Sequence, residues 1–336
     1  MQRENNLIDW VQTLYPSQSF QIKFAASDAD YRKYYRAIFD NGSSIILMDA
    51  PPEKFDMNPY IHVQSLFHSI QVPKIYHVNQ KAGFMCLQDF GNDSFISLML
   101  ENNSHETHRE LLLKSVSELT KLQQISQENK LPLYSKAKLN EEMDLFVTWC
   151  IPQYYHKQLN SKQTEIWQQS KDKIVAEILS HANVYVHRDY MIRNLMLLPD
   201  QSIGVIDFQD AVWGSICYDI ISLTRDAFIY WDEEFTLDIV IHYWQQAKEK
   251  NLPVNPSFDA FYRSYEWTGV QRHLKVAGIF TRLKYRDYKD KYISEVPRFI
   301  QYLKQTTRRY SELHPLYRLI VELTGEDQDL QQGFTF

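Results

Sequence analysis

The 336-residue chain holds only three cysteines, Cys86, Cys150 and Cys217, scattered through apolar or aromatic surroundings with no CxxC spacing. That scarcity excludes a disulfide framework and a thiolate zinc site, and the three are expected as buried thiols. No apolar run approaches the ~18 residues of a membrane span, and Met1-Gln2-Arg3-Glu4-Asn5-Asn6 lacks the apolar core of a signal peptide. The expectation is a soluble, cytoplasmic chain with no membrane partner. Basic charge is not in excess either. Lys and Arg number 36 against 42 Asp and Glu, a net charge of −6, which argues against a nucleic-acid partner. Repeats, low-complexity tracts and long Gly/Ser linkers are missing too, so any domains are closely joined. Aromatic residues are plentiful, with 22 Tyr and 18 Phe, and suit either sugar stacking or a bulky core.

The most informative stretch is Val184 to Asp210, VYVHRDYMIRNLMLLPDQSIGVIDFQD. Short apolar runs, Val184 to Val186 and Ile203 to Ile206, lead into Asp189 and Asp207, with Asn194 between them: strand ends holding carboxylates. His187 to Asn194 fits H-R-D-x-x-x-x-N, and Asp207-Phe208-Gln209 stands where a D-F-G would. Phosphoryl transfer needs such parts. The γ-phosphoryl charge must be neutralised by Mg²⁺ on oxygen ligands, here Asp207 and the Asn194 amide oxygen. Asp189, away from the metal, is then the base for an acceptor hydroxyl. Lone Asp and Asn residues are ordinary where strands end, but the joint pattern is far rarer by chance.

Along the chain, Leu7, Trp10, Val11 and Leu14 have helical spacing, and Gln21 to Ala25 alternates as a strand. Lys33 to Phe39 and Ser44 to Ala50 read as strands around the hairpin signal Asp40-Asn41-Gly42-Ser43. A helix after Pro59 is predicted to present Ile61, Ser65, Leu66 and Ile70, and two more strands, Lys74 to Val78 and Phe84 to Gln88, follow. The remainder from Ser97 is largely helical, with apolar faces Leu112, Ser115, Val116, Leu119, Leu122 and later Val240, Tyr243, Trp244, Ala247. Trp149, Tyr154, Tyr155 and His156 are read as packing rather than a pocket. Asp219, before an apolar helix, is read as its cap and a brace for the catalytic loop.

These strings resemble the aminoglycoside/choline kinase-like phosphotransferase superfamily. More narrowly they are similar to bacterial anomeric N-acetylmuramate/N-acetylglucosamine kinases of cell-wall recycling, through Leu47 to Glu53, Leu87 to Gly91, Trp231 to Glu234 and Tyr265 to Val276. The resemblance implies an α+β, bilobal protein-kinase-like fold with a small antiparallel-sheet N-lobe and a larger, mainly helical C-lobe. The lobes are expected at 1–90, nucleotide-binding, and 91–336, catalytic and substrate-binding. It implies ATP and Mg²⁺ as cofactors, an amino sugar as partner, Asp189 as base, and Asn194 and Asp207 as metal ligands. Ser27, Asp28, Ala29 and Asp30 stand at the phosphate loop, whose family glycine is replaced, and Gln88, Asp89 and Phe90 fall where the adenine edge is met.

Two departures matter. The strand Ser44 to Met48 has no lysine for the α/β-phosphates and the helix after Pro59 has no partner glutamate, so another cation is needed. Arg32, Lys33 and Arg36 are the candidates, Arg32 first because it follows the loop directly. On the later helix, Trp267, Val270, Leu274 and Ala277 form a core stripe, and Gln271, Arg272, Lys275 and Arg282 the opposite face. Arg272 is the candidate fork for a lactyl carboxylate, with Glu266 and His273 for sugar hydroxyls. The alternatives are a kinase of another small alcohol, aminoglycoside or choline-like, and an inactive kinase-fold binding module.

Overall fold

The computed structural model describes residues 2–27 and 32–326; Asp28, Ala29 and Asp30 of the expected phosphate loop lie outside the described residues. The chain opens with α1 (Gln2–Leu14), then β1 (Phe20–Ser27), β2 (Lys33–Phe39) and β3 (Ser44–Asp49). α2 (Asn58–Leu66) separates these from β4 (Ile75–Asn79) and β5 (Phe84–Gln88). α3 (Phe95–Glu101), α4 (His105–Gln124), α5 (Lys136–Leu145) and α6 (Ser161–Ser180) follow. Four short strands come next: β6 (Asn183–Val186), β7 (Leu195–Leu197), β8 (Ile203–Val205) and β9 (Val212–Ser215). The chain closes with α7 (Tyr218–Thr224), α8 (Glu233–Glu249), α9 (Phe258–Tyr285), α10 (Val296–Arg309) and α11 (His314–Thr324).

Two compact units result: Met1–Leu111 with Ile192–Ala211, and Leu112–Met191 with Val212–Phe336. This differs from the expected division at residue 90. The change of unit falls inside α4, and the β7–β8 hairpin belongs with the N-terminal sheet. Backbone hydrogen bonds hold it there, Val205 N–H to Gln71 C=O at 2.8 Å and Leu197 N–H to Asp93 C=O at 2.8 Å.

In the first unit the five expected strands, with one helix after the third, form one antiparallel sheet, whose order is β1-β2-β3-β5-β4. Alternation along β2 buries Tyr35, Ala37 and Phe39, which meet Leu7 and Val11 of α1 together with Leu47, Phe84 and Cys86. The face of α2 is not the one expected. Tyr60, Val63 and Phe67 are buried while Ser65 is exposed, and Ile70 lies beyond the helix. The rings of Tyr60 and Phe67 pack on Phe208 at 4.7 and 6.0 Å between centroids, so aromatic packing on the segment after Asp207 chose the face.

The second unit is helical around a two-stranded ladder, β6 against β9, running from Asn183↔Ser215 to Val186↔Val212. The apolar face expected on α4 is buried, including Leu112, Val116, Leu119 and Leu122. α5, α6, α7 and α10 pack around α9. The polar side of α9 lies inside the unit: Glu266, Gln271, Arg272, His273 and Lys275 are all buried along with its apolar stripe. A helix surrounded on every side must satisfy its polar groups internally. All three cysteines are buried and free, as expected, with burial pushing each thiol up to about 12. Among the described residues no helix is long and apolar enough to cross a membrane.

Candidate active site

A cleft of about 610 Å³ lies within the first unit, and Gln88, Asp89, Phe90, Asn194 and Asp207 line it. Asn194 ends a short 3-10 turn and immediately precedes β7, while Asp207 follows β8 by two residues. The hairpin register Leu195↔Val205 is carried on by Ile206 N–H donating to Asn194 C=O at 3.0 Å, which sets both oxygen-bearing residues at one end of the hairpin. Asp207 adopts φ +64°, a left-handed conformation that Asp tolerates better than most residues. Its Oδ1 accepts from Arg32 Nη2 at 3.2 Å and from Gln209 Nε2 at 3.0 Å. Gln209, where related motifs place glycine, thus holds the Asp207 side chain and also donates to Asp210 at 3.2 Å.

Of the three cations weighed for the missing lysine, Arg32 is the one on Asp207; it is buried, with its guanidinium 5.0 Å from the Phe55 ring centroid. Arg36 is committed elsewhere. Its fork donates to both oxygens of Asp89, at 2.6 and 3.0 Å, and to Gly91 C=O at 2.7 Å. Asp89 also accepts from Ser44 Oγ at 2.7 Å and from Gly91 N–H at 2.9 Å. Burial pushes the Asp89 carboxyl up, but these bonds and the Arg36 charge hold it below its ordinary value. The turn closes at Gly91, φ +85°, a conformation that glycine adopts without strain. Lys33 begins β2 with its side chain exposed. Phe90 packs on Met196 and Leu198, giving the cleft an apolar floor beside its polar end.

Asp189 sits in the second unit, on the loop that leaves β6, and is half-buried. Asp219 reaches back from the first turn of α7 and accepts from the backbone N–H groups of His187, at 2.6 Å, and Arg188, at 3.0 Å. The brace is therefore as expected, but the cap is not: the N-cap position is Cys217, and Asp219 spends its oxygens on the loop. Burial pushes Asp219 up to about 6 against the opposing pull of His187 and the two backbone donors. Arg188 has φ +74°, and Tyr190 anchors the far side of the loop by donating to Ser115 C=O at 2.8 Å. Burial also pushes Asp189 up, yet the charges of Lys275, Arg188, Arg272 and His187 outweigh it and keep the carboxyl below its ordinary value. Asp189 is thus an ionised carboxylate in a cationic setting.

The three α9 candidates differ. Glu266 is tied to α10 and its end, accepting from Arg309 and, at 2.6 Å, from Tyr310 Oη. His273 is packed against Phe299 and Tyr302 with both ring nitrogens lacking hydrogen bonds, and burial keeps it neutral, far below its usual value. It is a core residue. Arg272 donates from Nε to Ser222 Oγ at 2.7 Å and from Nη1 to Arg225 C=O at 3.3 Å, while its Nη2 has no partner. Sequence reasoning passed over Glu142 and gave no role to Lys275, which meet at 3.6 Å beside Arg188. No local pattern marks Glu142 out from the neighbouring Asn140, Glu141 and Asp144; only the packing of α5 on α9 singles it out.

Residues 21–253 match the model of the phosphotransferase enzyme family. Over all 336 residues, the whole of both chains, the sequence is 50% identical to N-acetylmuramate/N-acetylglucosamine kinase of Neisseria meningitidis serogroup B. In structure it resembles choline kinase LicA from Streptococcus pneumoniae, with TM-score 0.65 and 12% identity, covering 91% of this chain and all of that one. The ADP-bound aminoglycoside phosphotransferase APH(2'')-Ib is likewise similar in fold, with TM-score 0.56 and 14% identity, covering 90% of this chain and 97% of that one.

Proposed function

The chain belongs to the phosphotransferase enzyme family, and from that premise we propose that it transfers the γ-phosphoryl group of ATP to the anomeric (C1) hydroxyl of N-acetylmuramate or N-acetylglucosamine, a step in peptidoglycan recycling. The observation that carries this reading is the 50% identity, over the full length of both chains, to a kinase named for those two sugars.

In this reading Asp189 takes the proton of the sugar hydroxyl as it attacks. An anomeric hydroxyl is more acidic than an ordinary alcohol, so a base held ionised by surrounding cations is adequate although it is a weak one. Asp207 and Asn194 would hold Mg²⁺. Their donors, a carboxylate and an amide oxygen at one end of a hairpin, are the hard oxygens this ion takes. The ion supplies neutralisation of phosphate charge when bound. Arg32 would take the place of the absent strand lysine, Gln88, Asp89 and Phe90 would frame the adenine, and Ser27 with the following Asp28, Ala29 and Asp30 would cover the phosphates. Use of ATP as donor supports reading the reaction as cytoplasmic.

Arg272 would receive the lactyl carboxylate of N-acetylmuramate. Its guanidinium is buried, makes no ion pair among the described residues, and keeps Nη2 without a partner, and an unpaired buried cation is costly until an anion meets it. The cations around Asp189 also oppose a cationic acceptor such as an aminoglycoside or choline.

The test is the purified chain with ATP and Mg²⁺ across a panel of amino sugars, aminoglycosides and choline, with ADP release measured and the phosphate located by NMR. Phosphate on C1 of the two N-acetylated sugars is expected. Phosphate on C6, turnover confined to another alcohol, or no turnover with any acceptor would overturn the reading.

A further inference from the structure

Across the sheet of the first unit, Arg36 of β2 stands opposite Ile46 of β3, and Ile46 opposite Leu87 of β5, so the three side chains share one face, and all three residues line the cleft. From that row the Arg36 guanidinium reaches the chain just beyond β5. Its Nε and Nη2 donate to the two oxygens of Asp89, at 2.6 and 3.0 Å, Nη2 also donates to Gly91 C=O at 2.7 Å, and Nη1 donates to the side-chain oxygen of Asn92. Asp89, Gly91 and Asn92 are thus held by a single side chain.

The Asp89 carboxylate completes the arrangement. Besides the fork it accepts from Ser44 Oγ, at the start of β3, at 2.7 Å and from Gly91 N–H at 2.9 Å. Its side chain is 5% exposed, against 22% for Arg36, so these donors must supply what water would otherwise provide. Gly91 spends both backbone groups inside the network, its N–H on Asp89 and its C=O on Arg36, and on the other side Gln88 N–H is held by Lys74 C=O at 2.8 Å. Between these two tied residues the backbone of Asp89 and Phe90 runs along the wall of the cleft, which both line.

We propose that Arg36 is a positioning residue for the nucleotide base: by clamping Asp89, Gly91 and Asn92 it holds the Asp89–Phe90 backbone in register with the adenine edge, and so sets the selectivity for ATP over triphosphates that carry another base. It acts through Asp89 and Gly91, not on the nucleotide. The inference rests on the reading that Gln88, Asp89 and Phe90 frame the adenine. Adenine offers an amino donor beside a ring-nitrogen acceptor, and hypoxanthine a carbonyl acceptor beside a ring N–H, so a rigid backbone fitted to one edge leaves polar groups unpaired against the other. A segment released to shift could adapt to either base.

Inosine triphosphate differs from ATP at that edge alone and is the probe. Calorimetry in the presence of Mg²⁺ should show wild type binding ATP about tenfold or more tighter than inosine triphosphate, the scale of one mismatched pair of hydrogen bonds. In Arg36→Gln, which cannot make the fork, the ratio is expected to fall to within about threefold, with most of the loss on ATP. Arg36→Lys keeps the charge as a single point and should give a ratio between the two, and it decides the matter should Arg36→Gln not fold. A substitution that merely loosened the unit would weaken both nucleotides alike and keep the ratio. A wild-type ratio in folded Arg36→Gln, or in Arg36→Lys where that variant decides, therefore overturns the proposal. Equal affinity of wild type for the two nucleotides would instead overturn the reading of residues 88–90 as the base frame, and the proposal with it.

Discussion

Arg32 and Asp207, 175 residues apart in the chain, form an ion pair at 3.2 Å inside the N-terminal unit. The pair sets a cation beside the proposed metal-holding carboxylate, in a unit whose third strand lacks a lysine. If Arg32 serves the nucleotide, Arg32→Ala should raise KM for ATP about tenfold or more, the scale of a buried charge-assisted hydrogen bond, with Arg32→Lys recovering part of the loss. Steady-state kinetics with varied ATP checks this; an unchanged KM in Arg32→Ala would remove Arg32 from nucleotide binding.

The two acidic residues of the central motif should separate by assay. Asp189→Ala is expected to lower kcat by about 10²-fold or more while nucleotide binding, measured by calorimetry, persists. Asp207→Ala should abolish Mg²⁺-dependent nucleotide binding itself. The same phenotype in both variants would dissolve the assignment of base and metal ligand.

Asp219 gives the clearest pH dependence. Its folded value is raised to about 6 from 3.8, chiefly by burial, so ionisation works against folding. Its stabilising contribution is fully present below about pH 4 and is lost as pH rises through about 6. Asp219→Asn, uncharged throughout, should lack this loss, so its denaturant stability relative to wild type rises across that interval. Activity should run the other way. The ionised carboxylate is the better acceptor for the His187 and Arg188 N–H groups, so the acid limb of kcat near pH 6 should disappear in Asp219→Asn, at a lower overall rate. Parallel pH profiles for the two proteins would refute the brace.

A packing substitution probes the floor of the cleft. A Cβ on Gly204 would lie 2.5 Å from Phe90 Cδ2, well inside contact distance. Gly204→Ala must therefore displace the Phe90 ring, at a cost of about 1–3 kcal/mol in stability, with weaker ATP binding where Phe90 lines the cleft. Thermal denaturation and calorimetry read the two effects, and an unchanged melting temperature would show that the ring moves freely.

Much of this protein is legible without coordinates because the relevant physics is local. Alternation at period two marks the strands and turn residues mark the hairpins, while the order in which the five strands pair came from the tertiary structure. Periodicity says less about α2 and α9. It records which residues are apolar, whereas burial depends on what packs against each side, so Tyr60 and Phe67 turned to Phe208 and the polar side of α9 became interior.

Residue type and spacing alone determined the chemistry proposed: a candidate base in Asp189, candidate oxygen ligands in Asn194 and Asp207, and a candidate cation, Arg32, off the usual strand. Partnership is a matter of distance in space, and that belonged to the tertiary structure. It put Arg32 on Asp207, Asp219 under the His187–Arg188 backbone, and Glu142 between Arg188 and Lys275, and it took Glu266 and His273 into the packing of α9. The charges that decide whether Asp189 stays ionised come from residues up to 86 positions away, brought near because a fully surrounded helix has nowhere else to place its polar groups.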